Sequence, residues 1–197
     1  MSLLDFHRRA MRHSVDVVTL IRDDQWDGPT PCTQWTLRQL VEHMTSENRG
    51  FAAAADGETT DRTVWDVLDL SGDLRADYVE SAERVVRSFN RDGVPDGEFW
   101  LPKIKDSVRF PARQAIGFHL LDYVVHSWDV AASLGHPIAF DEDLVAAVQD
   151  VADKDVPDGP LRHRPGASFA PAIPVDDGTS AQDRMLAALG RPPRWTP

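Results

Sequence analysis

The sequence predicts an all-α protein: a four-helix bundle with short additional helices and an irregular C-terminal wrap. Apolar residues recur at three- and four-residue steps through four long stretches, which is the period of an amphipathic helix. The connections between these stretches are mostly short, and apolar residues make up 42% of the 197 residues, enough for a buried core. Helices that each carry an apolar face and are joined by short loops pack as a bundle.

The first predicted helix covers residues 3–24, and the run GPTP at residues 28–31 interrupts the chain after it, since glycine and proline break helices. The second helix has a clear start signal. Thr36 is a good N-cap residue, and Gln39 three positions later completes a capping box. This helix is predicted to end near residue 55.

The middle of the chain is predicted to hold two further long helices. The third covers residues 74–90, after a polar stretch with a short helical piece at residues 64–68. Residues 99–110 alternate weakly between apolar and polar side chains, which indicates an irregular hairpin. The fourth long helix covers residues 111–134, with proline at its first turn and glycine just past its end, the usual positions of these residues.

The last part of the chain is predicted to contain two shorter helices with an irregular segment between them. Asp141 is placed to cap a fifth helix, and a last short helix covers residues 180–189. Between them, residues 153–178 are rich in proline and glycine, which predicts an ordered wrap. We therefore divide the chain into a helix bundle at residues 1–155 and a C-terminal extension at residues 156–197 that packs on it.

Charge and composition exclude several classes of function. Acidic residues outnumber basic ones by 32 to 21, which gives a formal net charge of −11. Such a chain repels nucleic-acid phosphates and anionic membrane surfaces. No window holds the roughly 20 apolar residues of a membrane helix, and the N-terminus lacks the pattern of a signal peptide. The single cysteine, Cys32, excludes an internal disulfide and a Cys-rich zinc site. These features predict a cytoplasmic protein.

The predicted helix at residues 111–134 carries the most informative pattern. It is apolar around most of its circumference, and its polar residues fall on one narrow strip. The strip consists of His119, Asp122, His126, Asp129 and Ser133. A solvent-exposed face is the ordinary interpretation of such a strip. Two features favour a buried site instead: the strip has no Lys, Arg, Glu or Gln, and His and Asp are metal-binding residues.

Two of these residues form the core of a candidate metal site. Asp122 and His126 lie four residues apart, so both project from one side of the helix and can reach one ion. His43, in the second helix, is the candidate third ligand if the two helices are neighbours. Alternatively, it is a histidine at the core edge that hydrogen-bonds to a carbonyl. Two His and one carboxylate leave coordination positions open, as in catalytic sites. Zinc, nickel, ferrous iron and manganese all fit, and zinc is the ion we expect first.

Three neighbouring residues have open roles. Asp129 and His119 are placed to orient the two ligands on the same helix, although Asp129 could equally cap or pair locally. Cys32 lies just before the second helix, where a helix N-terminus would make its thiol more acidic. The alternative for Cys32, a small buried apolar residue, is the simpler interpretation.

Two runs of the sequence resemble signatures of a known family. The first, at residues 30–43, reads TPCTQWTLRQLVEH and resembles the signature of the mycothiol-dependent maleylpyruvate isomerase N-terminal domain, part of the DinB-like superfamily of four-helix bundles. The second, at residues 121–131, reads LDYVVHSWDVA and resembles the family's second signature. Near the C-terminus, FAPAIPV at residues 169–175 and LGRPP at residues 189–193 are similar to an actinobacterial subfamily of metal-binding proteins.

The resemblance implies a site and a chemistry. It places a metal ion on the histidine that closes the first signature and on the acid and histidine of the second, which here are His43, Asp122 and His126. It implies a low-molecular-weight thiol such as mycothiol as cofactor and a small electrophile as substrate. Since DinB-like bundles often pair through helix faces, it is also compatible with a homodimer. The isomerase has glutamate where this chain has Asp122, which weakens the transfer of that particular reaction.

Three functions are compatible with these observations. The first, which we favour, is a metal- and thiol-dependent transferase or isomerase that acts on a small electrophile. The second is a non-catalytic module that binds a metal or a small ligand. The third is a structural bundle whose polar strip faces water and binds no ion. Residues for catalysis and for thiol binding are not assigned by the sequence.

Overall fold

The structure is a computed structural model that describes residues 1–67, 72–136, 138–164 and 166–197. The helices in these ranges are α1 (Leu3–Thr19), α2 (Leu37–Ala55), α3 (Leu74–Phe89), α4 (Pro102–Lys105), α5 (Ala112–Ser133), α6 (Glu142–Asp155) and α7 (Ala181–Ala188). The strands in the same ranges are β1 (Glu98–Trp100) and β2 (Arg109–Pro111), which pair antiparallel with Phe99 opposite Phe110.

The long helices α1, α2, α3 and α5 form a bundle. α1 packs against α3 and α5, and α2 packs against the same two helices. α6 packs against α5, and α7 against α6. The prediction of an all-α four-helix bundle with short additional helices is confirmed. The hairpin expected at residues 99–110 is present as β1 and β2, with α4 between them.

α1 is shorter than predicted. It ends at Thr19, although the apolar period continues beyond this residue. The chain leaves the helix and Ile21 turns inward, where it is 2% exposed, before a separate 3-10 turn at Asp23–Gln25. The side chain of Gln25 accepts a hydrogen bond from the backbone N–H of Arg22 at 2.9 Å and stabilises that turn. A buried side chain after the helix end therefore extended the apparent helical period.

α2 begins where the capping box predicted. The Thr36 hydroxyl accepts a hydrogen bond from the Gln39 N–H at 3.3 Å, and the Gln39 side chain accepts one from the Thr36 N–H at 3.0 Å. The loop before the helix is also held in place. The Thr30 hydroxyl is shared between the carbonyls of Cys32 and Trp35, each at 3.0 Å. Loop and helix start therefore form a rigid unit.

Two smaller predictions differ from the structure. The helical piece expected at residues 64–68 is a 3-10 turn at Arg62–Trp65, and Leu68 lies outside the described residues. Asp141 occupies the N-cap position of α6, but its side chain makes no capping hydrogen bond. Its carboxylate instead pairs with Arg9 of α1, because a tertiary cation competes with the helix N–H groups for the same oxygen atoms.

The C-terminal residues follow the prediction more closely. Of the predicted wrap at residues 153–178, the first three residues still belong to α6, and a 3-10 turn covers Pro160–His163. Residues 166–179 contain turns and extended segments without helix or strand. Ser180 then caps α7, since its hydroxyl accepts a hydrogen bond from the Asp183 N–H at 3.1 Å. The division into a bundle at residues 1–155 and an extension at residues 156–197 stays a prediction.

α5 lies at the centre of the molecule. Ile116 and Tyr123 face the apolar cluster shared with α1, α2 and α3, and Leu120 and Val124 face the cluster shared with α6 and α7. A helix buried on both sides is apolar nearly all round, as the sequence of α5 is. Of its polar residues, His119, His126 and Asp129 are buried, whereas Arg113 in the first turn is exposed. None of the described helices has the length and apolar character needed to span a membrane.

Candidate metal centre

The three predicted ligands lie together between α2 and α5. One ligand atom from each of His43, Asp122 and His126 lies within 4.8 Å of the other two. His126 Nε2 is 3.4 Å from Asp122 Oδ1. The rings of His43 and His126 meet edge to face, with centroids 5.5 Å apart. The condition that the two helices be neighbours is met, because α2 packs on α5.

The polar strip of α5 is buried rather than solvated. His119 and Asp129 are fully buried and His126 is 4% exposed, while Asp122 and Ser133 are half-buried. The interpretation of the strip as an exposed face is therefore wrong. Charged groups in such a position need a partner or a counter-ion, because an isolated charge in the interior is costly.

His126 is oriented by a chain of contacts that ends at Arg191. His126 Nδ1 lies 2.9 Å from Asp129 Oδ2. Arg191 holds this carboxylate in turn, with Nε 3.1 Å from Oδ1 and Nη2 3.0 Å from Oδ2. With the carboxylate on Nδ1, a neutral His126 carries its proton there, so the lone pair of Nε2 faces Asp122. Asp129 thus takes the orienting role.

Arg191 is a site residue that the sequence analysis missed. It follows α7 and lies 62 positions after Asp129. Its guanidinium is buried, and although burial acts to lower its pKa, the charge of Asp129 raises that pKa above the ordinary value. Arg191 lies in the LGRPP run that the sequence analysis noted. No spacing in the sequence, however, indicates that this run contacts α5.

Burial and neighbouring charges set the protonation of the ligands. Burial lowers the pKa of His43 to about 4, so this imidazole is neutral at neutral pH. Burial also acts to lower the pKa of His126, but Asp122 and Asp129 outweigh it and raise that pKa well above its ordinary value. Burial acts to raise the pKa of Asp129, yet the charges of Arg191 and His126 bring that pKa down to about 2. Asp129 is therefore a permanent anion behind His126.

His119 does not belong to the centre. Its Nδ1 lies 3.0 Å from Nε2 of His7, and its ring stacks on Tyr123 with centroids 4.0 Å apart. The predicted orienting role of His119 is therefore wrong, because its ring bonds to α1 and not to the ligands.

Cys32 lies beside the centre, next to Asp129. Its Sγ is 3.2 Å from Asp129 Oδ2 and 3.0 Å from Arg191 Nη2. Cys32, His126 and Asp129 form a second group whose ligand atoms lie within 4.8 Å of one another. The Arg191 cation touches two members of this group and makes it a poor site for a second cation. Hydrogen-bonded neighbours, rather than the helix N-terminus or apolar packing alone, define the surroundings of this thiol.

Three side chains that the sequence analysis did not assign surround the ligands. Glu47 lies one turn after His43, with Oε1 3.9 Å from His43 Nδ1 and 2.6 Å from Lys103 Nζ on α4. Burial raises the pKa of Glu47. The ring centroid of Trp35 lies 4.6 Å from that of His43 and 6.3 Å from that of His126. The four-residue spacing of His43 and Glu47 is a sequence signal for their contact, whereas the position of Lys103 carries none.

The donor set fits a divalent cation. Two imidazole nitrogens and one carboxylate oxygen are typical ligands of catalytic zinc, which leaves further positions to water or substrate. His43 is already neutral, and His126 is turned so that Nε2 lies on the side of Asp122. The carboxylate of Asp122 supplies a negative charge that a cation would compensate.

Comparison with known proteins identifies the family. A family model described as "Mycothiol maleylpyruvate isomerase N-terminal domain" matches residues 7–131. The chain belongs to this family. The part that matches the mycothiol maleylpyruvate isomerase N-terminal domain includes α2 and most of α5, the two helices that carry the three ligands.

Individual relatives extend the likeness to nearly the whole chain. The uncharacterized proteins MT0763 and Rv0738, from two strains of Mycobacterium tuberculosis, are each 29% identical over 190 residues, which are 94% of this chain and 95% of theirs. A crystal structure of a histidine-to-alanine mutant of the mycothiol-dependent maleylpyruvate isomerase is 15% identical. It superimposes with a TM-score of 0.68 over 97% of this chain and 90% of that chain, which confirms the predicted DinB-like fold.

Proposed function

We propose that this protein is a metal- and thiol-dependent enzyme, a transferase or isomerase that uses mycothiol to act on a small electrophile. The observation that carries the proposal is the convergence of His43, Asp122 and His126, whose ligand atoms lie within 4.8 Å of one another between α2 and α5. Membership of the mycothiol maleylpyruvate isomerase N-terminal domain family supports the choice of thiol.

In this proposal the three ligands hold a divalent ion, zinc first, and leave part of its coordination sphere to the thiol. When bound, such an ion lowers the pKa of a coordinated thiol, so that the thiolate exists at neutral pH. Asp129 and Arg191 keep the His126 ring in position. The buried surroundings of His126 limit the access of water, which keeps a thiolate more nucleophilic than it is in solution.

The thiolate is the nucleophile in either reaction. In an isomerase, the sulfur adds to a conjugated double bond, the resulting single bond rotates, and elimination of the thiolate restores the double bond in its other geometry. In a transferase, the new sulfur–carbon bond remains, a proton from water completes the adduct, and the adduct leaves as product. Asp122 is one methylene shorter than the glutamate implied for the isomerase, so we keep both reactions in the proposal.

Metal analysis tests the centre first. Protein purified without chelator is expected to contain about one divalent ion per chain, and His126→Ala is expected to lose it. Ser133→Ala is the matched control, since its hydroxyl lies on the same strip but bonds to a backbone carbonyl of α5. Unchanged metal content in His126→Ala would contradict the proposed centre, and metal-free wild-type protein would favour the structural bundle.

Turnover tests the chemistry. The metal-loaded protein is incubated with mycothiol and a panel of small electrophiles that includes α,β-unsaturated acids, with and without chelator. Consumption of an electrophile that needs both the metal and the thiol is the expected result. A stoichiometric metal without thiol-dependent turnover in any metallated form would favour the non-catalytic binding module.

The setting of the protein completes the proposal. We place it in the cytoplasm, as a homodimer that binds no nucleic acid; the net charge of −11 supports the last point. Residues 1–155 would form the metal-binding bundle and residues 156–197 an extension on it. Light scattering measures the oligomeric state, and a monomer at micromolar concentration would remove the dimer from the proposal.

A further inference from the structure

Trp35 forms one side of the candidate metal centre. Its ring centroid lies 4.6 Å from that of His43 and 6.3 Å from that of His126. The residue is half-buried, so it packs against the ligands and still keeps part of its surface accessible. From this position we infer that Trp35 is the platform on which the sugar portion of a sugar-borne thiol stacks, an inference that rests on the proposed function.

The indole is held in place before any ligand arrives. The backbone N–H of Trp35 donates to the Cys32 carbonyl at 2.8 Å, and the Trp35 carbonyl accepts from the Thr30 hydroxyl at 3.0 Å. The next residue, Thr36, is the capped start of α2. A ring on such a loop loses little conformational freedom when a ligand binds, and this preorganisation favours affinity.

The charges around the centre favour an uncharged ligand body. Lys103 is engaged with Glu47 at 2.6 Å, and Arg191 is engaged with the carboxylate of Asp129 at 3.0 Å. A phosphate or carboxylate on the ligand would have to compete with these protein carboxylates for the same cations. A neutral polyhydroxylated group avoids that competition, because its hydroxyls can stay in contact with water.

Mycothiol has the matching chemistry. It carries its acylated cysteine on two sugar-like rings, whose C–H faces are apolar and whose hydroxyls point outward. An aromatic ring offers such a C–H face a large apolar contact with a negative π-surface. In ligand sites generally, apolar and aromatic walls supply most of the contact area, while a few polar groups fix orientation. Here the metal ligands would fix the sulfur, and Trp35 would select for the sugars.

A purely structural role for Trp35 gives a different expectation. Because the indole packs on His43, it could serve only to orient that ligand. In that case its removal would weaken the binding of the metal and of every thiol alike. Stacking predicts instead a loss confined to thiols that carry the sugars.

The test compares two thiols on two Trp35 variants. Wild type, Trp35→Leu and Trp35→Phe are loaded with zinc, and calorimetry gives the Kd of mycothiol and of N-acetylcysteine amide, which has the same uncharged, amide-bearing thiol end without the sugars. For Trp35→Leu we expect mycothiol to bind about tenfold more weakly, with the Kd of N-acetylcysteine amide and of zinc unchanged. Trp35→Phe, which keeps an aromatic face, should recover most of the loss. Gln34→Ala, exposed in the same loop, is the matched control.

Each other result overturns the inference in a recognisable way. Equal weakening of both thiols, or loss of zinc, would assign Trp35 to the orientation of His43. Equal affinity of the wild type for the two thiols would leave the proposed function standing and remove the stacking. Failure of the zinc-loaded wild type to bind either thiol would overturn the proposed function itself, and the inference with it.

Discussion

Asp129 and Arg191 depend on each other inside the protein. Both residues are at least nine-tenths buried, and each charge would be costly there without the other. Breaking such a pair by removing one partner typically costs about 3–5 kcal/mol, because the other charge is left uncompensated. Arg191 lies outside residues 7–131, the part that matches the family. A residue of the C-terminal region thus holds the carboxylate that orients His126.

Asp129→Asn is expected to weaken metal binding without removing a ligand. Asparagine keeps the shape of the side chain but loses the negative charge that holds the proton on His126 Nδ1. Changes to such orienting partners typically cost about 10- to 100-fold in metal affinity. Competition with a chromophoric chelator measures the zinc Kd, and Ser133→Ala serves as control. An unchanged Kd in Asp129→Asn would show that His126 needs no orienting partner.

Zinc binding at neutral pH is expected to release about one proton per ion. The pKa of His126 is raised well above its ordinary value by Asp122 and Asp129, so the free protein holds a proton there that the ion must displace. His43 adds none, because burial lowers its pKa to about 4. The zinc affinity should therefore fall as the pH falls. Calorimetry in two buffers of different ionisation enthalpy counts the proton, and a count of zero would contradict the protonated His126.

Among the helices, α2 and α5 show how much a local pattern could predict. The capping box at Thr36 and the polar strip of α5 are signals contained within a few residues, and the structure has both. Helical spacing also put Asp122 and His126 on one side of α5. Their approach to His43 required only that α2 and α5 be neighbours, a condition that bundle packing satisfies.

Contacts between distant segments could not be predicted in this way. Cys32 precedes Asp129 by 97 positions, and Arg191 follows it by 62. Neither contact leaves a period or a spacing in the sequence. Asp141 illustrates the same limit, since its local environment predicts a helix cap, while its partner is Arg9, 132 positions earlier. Tertiary packing selects among the bonds that a local pattern allows.

Two glycines within helices are expected to respond oppositely to alanine. A Cβ at Gly50 in α2 would overlap the ring of Trp65, which is 3% exposed and has little room to move. A Cβ at Gly117 in α5 would meet Val151 at an ordinary 3.4 Å. Alanine improves helix propensity by about 1 kcal/mol, whereas overpacking costs about 1–3 kcal/mol. Urea unfolding should show Gly50→Ala destabilised and Gly117→Ala equal or stabilised; the reverse order would contradict the packing at Trp65.

The bundle as a whole encloses a polar pair that the metal centre does not use. His7 of α1 and His119 of α5 are both fully buried, with Nε2 and Nδ1 3.0 Å apart. Their other ring nitrogens have no hydrogen-bond partner among the described residues, and the rings of Phe51, Phe89 and Tyr123 surround the pair. Burial lowers the pKa of His7 to about 3 and that of His119 well below its ordinary value. The centre of the bundle therefore favours the neutral form of both histidines over the protonated form.

This pair predicts a loss of stability in mild acid. Both imidazoles titrate near pH 6.5 in the unfolded chain, whereas the folded protein keeps them neutral to far lower pH. Below pH 6.5 the unfolded state therefore binds more protons, and the free energy of unfolding falls with the pH. The expected slope is about 1.4 kcal/mol per pH unit for each histidine, and it ends only when the folded protein takes up the protons.

The double variant His7→Leu/His119→Phe removes both groups and should lose this part of the slope. Urea unfolding between about pH 4 and 6 measures the free energies, and the slope of the variant should be shallower by about 2.7 kcal/mol per pH unit. The other ionisable groups are common to both proteins, so their contributions cancel in the difference. His136→Gln, at an exposed position, should keep the slope of the wild type. Parallel curves for the double variant and the wild type would mean that the folded bundle accommodates imidazolium at its centre after all.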